Sequence, residues 1–345
     1  MATLKQLGEF GLIHRLRSRL QYHSPRLKIG IGDDCAVYST AKAGNYEIVS
    51  TDALIEDIHF NLATTPPRLL GRKALAVNIS DIAAMGGMPS LALISIGIPP
   101  TVSVRFLDEF YRGINEICRE HRVEIAGGDT VASPKHLFIN ITIIGEVEKN
   151  RLVTRSGARP GDPIFVTGYP GESSLGLKLL ASPGKKWAGS ARLQKKLIRS
   201  HLDPVPRLDE SRRLGRSGAR ITSMIDISDG LVQDLLHICE AGNVGAVLRE
   251  DCLPKSPDLE RLTSLNRLNI IDFILAGGED YELLFTLKFE DVRKISRQFK
   301  NAKTPVTQIG EISPHPGKVV LIKSNGSSQS LRNSMGFNHF KSKKQ

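Results

Sequence analysis

At 345 residues, 40% apolar and 24% charged, the chain has the composition of a folded protein and the length of two domains, which excludes disordered and fibrous classes. No run approaches the roughly 18 to 20 uninterrupted apolar residues that would span a bilayer, and Lys5, His14, Arg15 and Arg17 leave no signal-type apolar stretch near the N-terminus, so a cytoplasmic protein without membrane contact is expected. The formal net charge of +11 admits a nucleic-acid partner, while four scattered cysteines without a C-x-x-C pair exclude a zinc or disulfide framework and read as small buried apolar residues.

In chain order the apolar pattern alternates between helix and strand, twice. Residues 12–20 are predicted as a short helix and 46–50 as a strand running into Thr51-Asp52. Residues 68–85 make a long, almost wholly apolar helix stopped by Gly86-Gly87 and Pro89, and Asn78 and Asp81 share one face of it. A strand over 91–98, an amphipathic helix marked by Leu107, Phe110, Tyr111, Ile114, Ile117 and Cys118, and a strand over 136–147 complete a first unit, 1–150.

The second unit, 151–345, opens on the turn-rich joint 155–162 and the strand 163–167. Helices follow at 171–180 and through the basic stretch 185–220. Leu193, Leu197, Ile198 and Leu202 keep helical spacing there, and Trp187 is the lone aromatic, so a solvated helix is favoured over a nucleic-acid footprint. The strand 223–227 runs into Ser228-Asp229-Gly230 and a helix marked by Leu231, Leu235 and Ile238. A strand at 245–249, a helix near 259–268, the Gly277-Gly278 turn, a strand at 281–287, a helix at 289–299 and closing strands at 306–312 and 319–323 finish the chain. No low-complexity linker separates the halves, and close packing between them is expected.

Acidic residues recur beside glycines and hydroxyls at the ends of these runs: Asp33-Asp34, Asp52, Asp81, Asp129, Asp226, Asp229 and Glu279-Asp280. Carboxylates gathered within a few ångströms repel and raise one another's pKa unless cations neutralise them. Mg²⁺ fits best, because it takes carboxylate oxygens and keeps positions for water and phosphate. The chain has no G-x-x-x-x-G-K-[ST], so any phosphate cradle is not a P-loop.

These segments, in this order, resemble the thiamine-monophosphate kinases, within the superfamily that includes aminoimidazole ribonucleotide synthetase, selenophosphate synthetase and a hydrogenase-maturation dehydratase. The resemblance runs from Gly8-Glu9-Phe10 through Gly32-Asp-Asp, Ser50-Thr-Asp, Glu56-Asp-Ile-His-Phe60, Asn78-Ile-Ser-Asp81, Gly127-Gly-Asp-Thr130, Asp226-Ile-Ser-Asp-Gly230 and Gly277-Gly-Glu-Asp-Tyr-Glu-Leu283 to Gly336-Phe-Asn-His-Phe340. It implies an α/β (α+β) two-domain aminoimidazole ribonucleotide synthetase-like fold. The N-terminal domain would bind Mg-ATP and lend its strands to a dimeric β-barrel, and a C-terminal α/β domain would close the site. It further implies a homodimer that transfers the γ-phosphoryl group of ATP to thiamine monophosphate, using several Mg²⁺ ions, as the last step of thiamine diphosphate biosynthesis.

Carried over by position, the resemblance assigns Asp33, Ser50, Thr51, Asp52, Asp81, Asp129, Asp226 and Asp229 to metal, with Asp52, Asp129 and Asp229 central to catalysis. It assigns Tyr111, Gly128, Asp129, Arg155 and Ser228 to ATP, and His59, Glu279 and Phe337 to thiamine monophosphate, where an aromatic and an acid suit a flat cation. Simpler readings stand beside these. Asp34 reads first as a turn or helix cap, Asn78 and His59 as satisfied buried groups, Asp229 as a cap and Tyr111 as a packing residue. Asp57 stands where the family pattern expects glycine, so the loop before His59 is expected to differ in shape. Another superfamily member is the competing function; no cysteine precedes Cys35 or follows Cys252, which disfavours the selenophosphate and hydrogenase chemistries. A nucleic-acid binder would leave the acids unexplained.

Overall fold

A computed structural model of the protein describes residues 4–20, 22, 24–331 and 336. Its first unit runs α1 (Leu4–Arg17), β1 (Leu27–Ile29), β2 (Ala36–Ser39), β3 (Asn45–Ile55), α2 (Pro67–Ala84), β4 (Met88–Ile98), α3 (Val104–His121), β5 (Glu124–Ala132) and β6 (Phe138–Glu148). The strands form a six-stranded sheet in the order β1-β2-β3-β6-β4-β5, antiparallel except for the β4–β5 pair, which α3 connects. The sheet is open within one chain and ends on β5.

The second unit comprises β7 (Pro163–Thr167), α4 (Glu172–Leu180), α5 (Ala191–Leu202), α6 (Leu208–Arg216), β8 (Ile221–Asp226), α7 (Leu231–Gly242), β9 (Gly245–Arg249), α8 (Pro257–Leu265), α9 (Ile270–Ala276), β10 (Leu283–Leu287), α10 (Val292–Phe299), β11 (Val306–Ser313), β12 (Val319–Ile322) and β13 (Ser328–Leu331). Its seven strands order as β13-β12-β9-β11-β7-β10-β8, with β9–β12 the parallel pair. Both sheets are mixed and largely antiparallel, so the α+β form of the expectation holds. Among the described residues no helix is long and apolar enough to cross a membrane.

Helix α2 sets the architecture. Pro67 occupies the first turn, where its missing N–H costs nothing, and the helix ends at Gly86, left-handed at φ 75, with the Gly87 amide reaching back to Ile82 O at 3.0 Å. From Leu70 to Ala84 nearly every side chain is buried, the signature of a helix covered on all sides. One side packs on α3 and the inner face of the first sheet; the other meets α6 and β8 of the second unit. Ala84 accordingly joins a core cluster with Phe165, Met224 and Phe285, and Leu208 joins the core of the first unit.

The two units are also stitched by polar contacts, most of them on or beside α2. Arg72 Nε donates to Asp203 Oδ1 at 2.7 Å, Ser80 Oγ to Asp226 Oδ2 at 2.6 Å and Ser211 Oγ to Ala83 O at 2.6 Å. Arg212 makes two 2.8 Å bonds to the Glu148 carboxylate. The basic stretch spends many of its charges in this way: Arg199 pairs with Asp203, Arg207 with Glu282 and Lys196 with Asp258, while Leu193, Leu197 and Leu202 are buried. All four cysteines are free; Cys35, Cys118 and Cys239 are buried as expected, whereas Cys252 is only partly buried.

The α2–α3 crossing leaves no room for side chains at its contact. A Cβ on Gly113 would stand 1.9 Å from Arg68 O, and one on Gly71 would stand 2.0 Å from Phe110 O. Backbone cannot retreat as a flexible side chain does, so Gly113→Ala is expected to cost about 2 kcal/mol, measurable by denaturant unfolding. An unchanged midpoint would show that the helices separate without loss.

Candidate active site

The acids converge where β3, α2 and β8 meet. Strand alternation turns Ser50 and Asp52 toward α2, whose Asp81 points back to them, and β8 delivers Asp226 at its C-terminal end. Asp34, Asp81 and Asp226 come together there, with one carboxylate oxygen of each within 4.8 Å of the others. Ser50 Oγ donates to Asp81 Oδ2, and Asn78 Oδ1 accepts from the Asp52 amide at 3.2 Å while its Nδ2 donates to Ala74 O at 3.0 Å. Asn78 is therefore a satisfied buried group that fixes the strand carrying Asp52.

Asp34 is not the cap it was expected to be. Its side chain is inaccessible, Oδ1 accepts from Arg155 Nε and Nη2 at 3.2 and 2.6 Å, and Oδ2 is buried with no hydrogen-bond partner. An unsatisfied buried carboxylate oxygen is costly unless a ligand completes it. Asp33 is the residue turned toward backbone: it accepts from the amides of Asp34 at 3.1 Å and Arg155 at 3.3 Å. Consecutive residues point apart in extended chain, so one of the pair joins the cluster and the other braces the loop.

The electrostatics follow from crowding. Burial first, then the Asp34 charge, raises Asp52 to about 6 and Asp226 to about 7. Asp81 is pushed well up by burial and by Asp52, Asp226 and Asp34 together. Arg155 is the cation beside them. Asp229 is raised to about 7 by burial and then Glu9. All donors offered here are oxygens, the ligand set of a hard divalent cation.

Two other acids anchor backbone, Asp234 just beyond the motifs and Asp280 within them. Asp234 Oδ2 accepts from the amides of Ser228, Asp229 and Gly230 at 3.0–3.2 Å, shaping the turn that carries Asp229. Asp280 accepts from Gly171 at 2.7 Å and Ser173 at 3.0 Å, closing the start of α4. Glu279 instead turns inward, in a left-handed conformation at φ 60, and pairs with Lys73 at 2.9 Å. His59, whose Nδ1 accepts from the Ile55 amide at 3.0 Å, is among the charges that act on Glu279, so both residues assigned to the second substrate share one neighbourhood. Asp57 is left-handed at φ 65 and holds Asn61 Nδ2 at 3.0 Å, so it adopts the backbone that glycine would supply.

Three assigned residues lie elsewhere. The Thr51 hydroxyl faces the opposite side of β3, 3.0 Å from Thr142 Oγ1 on β6. Asp129 pairs across β4 with Ser95, which pairs with Asn140, which pairs with Ala53, a row on that same exposed face. Gly128 is needed by its own sheet, since a Cβ there would stand 1.8 Å from Ile94 O. Tyr111 is 41% exposed with its ring edge-on to Phe110 at 5.4 Å, so it is no core residue. Phe337 lies outside the described residues. Lys73, Ser80, His201 and Asp234 were not singled out from the sequence, although a lysine in an apolar helix carries the same signal that marked Asp81.

The family described as AIR synthase related protein, N-terminal domain, matches residues 32–147, and its C-terminal-domain counterpart matches residues 159–323. The thiamine-monophosphate kinase of Bacillus subtilis (strain 168) is 38% identical over 97% of this chain and 100% of its own length. That of Escherichia coli (strain K12) is 37% identical over 89% of this chain and 90% of its own. The chain belongs to the thiamine-monophosphate kinase family. A solved structure described as AaThiL complexed with AMPPCP and TMP superposes with a TM-score of 0.84 at 33% identity, covering 98% of this chain and 99% of that one. Membership accounts for the ordered motifs.

Crowded acids have a measurable consequence for this kinase. Groups whose folded pKa lies above the unfolded value of 3.8 hold protons that the unfolded chain has released, so stability falls as pH rises through the folded values. With Asp226 and Asp229 near 7, the metal-free protein should melt at a lower temperature at about pH 8.5 than at about pH 7. His201 and His237, each lowered to about 4 chiefly by burial, add no opposing slope in that window. Thermal unfolding in chelator reads the difference, and a melting temperature that rises with pH would contradict it.

Proposed function

We propose that this chain transfers the γ-phosphoryl group of ATP to thiamine monophosphate, giving thiamine diphosphate and ADP, the last step of thiamine diphosphate biosynthesis, with Mg²⁺ held by the carboxylate cluster. The observation that carries the metal assignment is the buried, partnerless Oδ2 of Asp34 beside Asp81 and Asp226. AMPPCP, the nucleotide of the superposed relative, is an ATP analogue, which supports ATP as donor.

Asp34, Asp81 and Asp226 would hold Mg²⁺ with Asp52 and Ser50 beside them, and Asp229 stands at the rim. Bound there, Mg²⁺ would neutralise phosphate charge and align the reacting groups. The acceptor is a phosphate whose second pKa is about 6, so it arrives ionised, and no general base is required. Arg155 is held by Asp34 and would turn its remaining donors to the triphosphate, with Tyr111 and Ser228 as further nucleotide contacts. His59, Glu279 and Phe337 would receive thiamine monophosphate.

Residues 1–150 serve in this reading as the Mg-ATP-binding and dimerisation domain, and residues 151–345 close the site, in a cytoplasmic homodimer. The exposed face and free edge of the first sheet support the dimer, since a second copy would cover Leu93 and Val131 and could form the β-barrel. It would also bring Thr51, Gly128 and Asp129 into an enclosed site.

Incubation with ATP, Mg²⁺ and either thiamine monophosphate or free thiamine tests the reaction: diphosphate should form from the monophosphate alone, and turnover of neither overturns it. Asp52→Asn should lower kcat by about a thousandfold or more with the melting temperature retained, whereas full activity would remove Asp52 from the site. Isothermal titration with Mg²⁺ separates the adjacent pair, because Asp34→Asn should weaken binding by about tenfold or more and Asp33→Asn by less.

A further inference from the structure

Lys73 is buried to 1% exposure on α2 at a position where leucine would pack without losing the hydration of an ammonium group. Its Nζ lies 2.9 Å from Glu279 Oε1, and Glu279 Oε2 lies 3.3 Å from His201 Nδ1. His201, itself buried, is 3.1 Å from Ser173 Oγ. Burial and the Lys73 charge hold His201 down at about 4, so near neutral pH the ammonium is the full charge that offsets Glu279 in this group. The result is that Glu279, although burial opposes it, is held below the usual carboxylate range by Lys73 and His201.

The backbone adds a third restraint. Glu279 is left-handed, a strained state for a residue with a side chain, and its amide is bonded to Ser228 O at 2.7 Å. Glu279 is therefore fixed at its main chain and, through Lys73, at Oε1, with the His201 ring 3.3 Å from Oε2. Its side chain is 23% exposed whereas that of Lys73 is 2%, so a ligand entering here meets the carboxylate with the ammonium behind it. A carboxylate accepts in about four directions, and Lys73 takes one of them.

We infer that Lys73 is a positioning residue for substrate selection: it holds the Glu279 carboxylate in one orientation toward the cationic ring of thiamine monophosphate. The inference rests on the proposal that Glu279 contacts that substrate. Preset charge of this kind favours a flat cation over a neutral analogue, because no reorientation is needed when the ring arrives.

A double-mutant cycle in steady-state kinetics tests it, with Lys73→Met, Glu279→Gln and the double variant each assayed against both substrates. Lys73→Met should raise KM for thiamine monophosphate by about tenfold or more with KM for ATP within about twofold, and in the Glu279→Gln background it should add little. If Glu279→Gln raises that KM and Lys73→Met does not, or if the two effects multiply, the clamp is wrong and the substrate assignment of Glu279 survives. If Glu279→Gln leaves the KM unchanged, that assignment fails and takes the inference with it. Lys73→Gln, which keeps a donor without the charge, replaces Lys73→Met if thermal unfolding shows the latter unfolded, and is held to the same outcomes.

Discussion

Repulsion among buried carboxylates is the constraint around which this molecule is arranged. Asp34, Asp52 and Asp226 each raise the pKa of at least one other acid of the group, Asp81 is raised by all three, and Arg155 is the cation set against them. A fold that keeps such a group together without bound cations gives up stability, so the rest of the structure has to hold it by force. It does so with rigid elements: a central strand and a buried helix that share the core of the first unit, and the end of a strand anchored in the clusters of the second.

Helix α2 carries most of that burden, and its polar residues divide the work by direction. Asn78 secures the backbone of β3, Asp81 faces the cluster, Ser80 reaches Asp226 across the unit boundary and Lys73 reaches Glu279. Each is a polar group in an otherwise apolar helix and each has a partner from another element. Rotating or shifting α2 would disturb the metal-binding acids, the junction between the units and the Glu279 carboxylate together. The two sequence halves consequently cannot act as separable binding modules, which agrees with the absence of a linker between them.

Long periodic segments were legible in the sequence, and short or glycine-broken ones were not. α2, α3, β4, β6 and the strands β7 to β12 follow the apolar pattern closely, while the polar β13 was not read from the sequence. β5 was missed because Gly127-Gly128 interrupts it and neither face is buried, which removes the alternation that marks a strand. The acids were legible as a set but not by role. Spacing could not say that Asp34 and not Asp33 turns inward, nor that Asp280 and Asp234 spend their oxygens on backbone amides, because those outcomes depend on loop conformation and on partners distant in the chain. The basic stretch misled in charge and informed in period: its arginines pair with acids from both units.

The parity of the first sheet bears on how the proposed reaction is completed. Ser50 and Asp52 project toward α2, while Thr51 and Asp129 project to the other, exposed face. A phosphate chain held by Asp52 would reach Asp129 of the same chain only around the edge of the sheet. Family position assigns both residues to one site, and pleating separates them within one chain; the proposed dimer would bring a second sheet face against the first and enclose Asp129 there. The edge strand β5, whose outer side has no strand partner among the described residues, is where the proposed dimer would make that contact. On this argument dimer formation and catalysis in the proposed enzyme depend on the same strand.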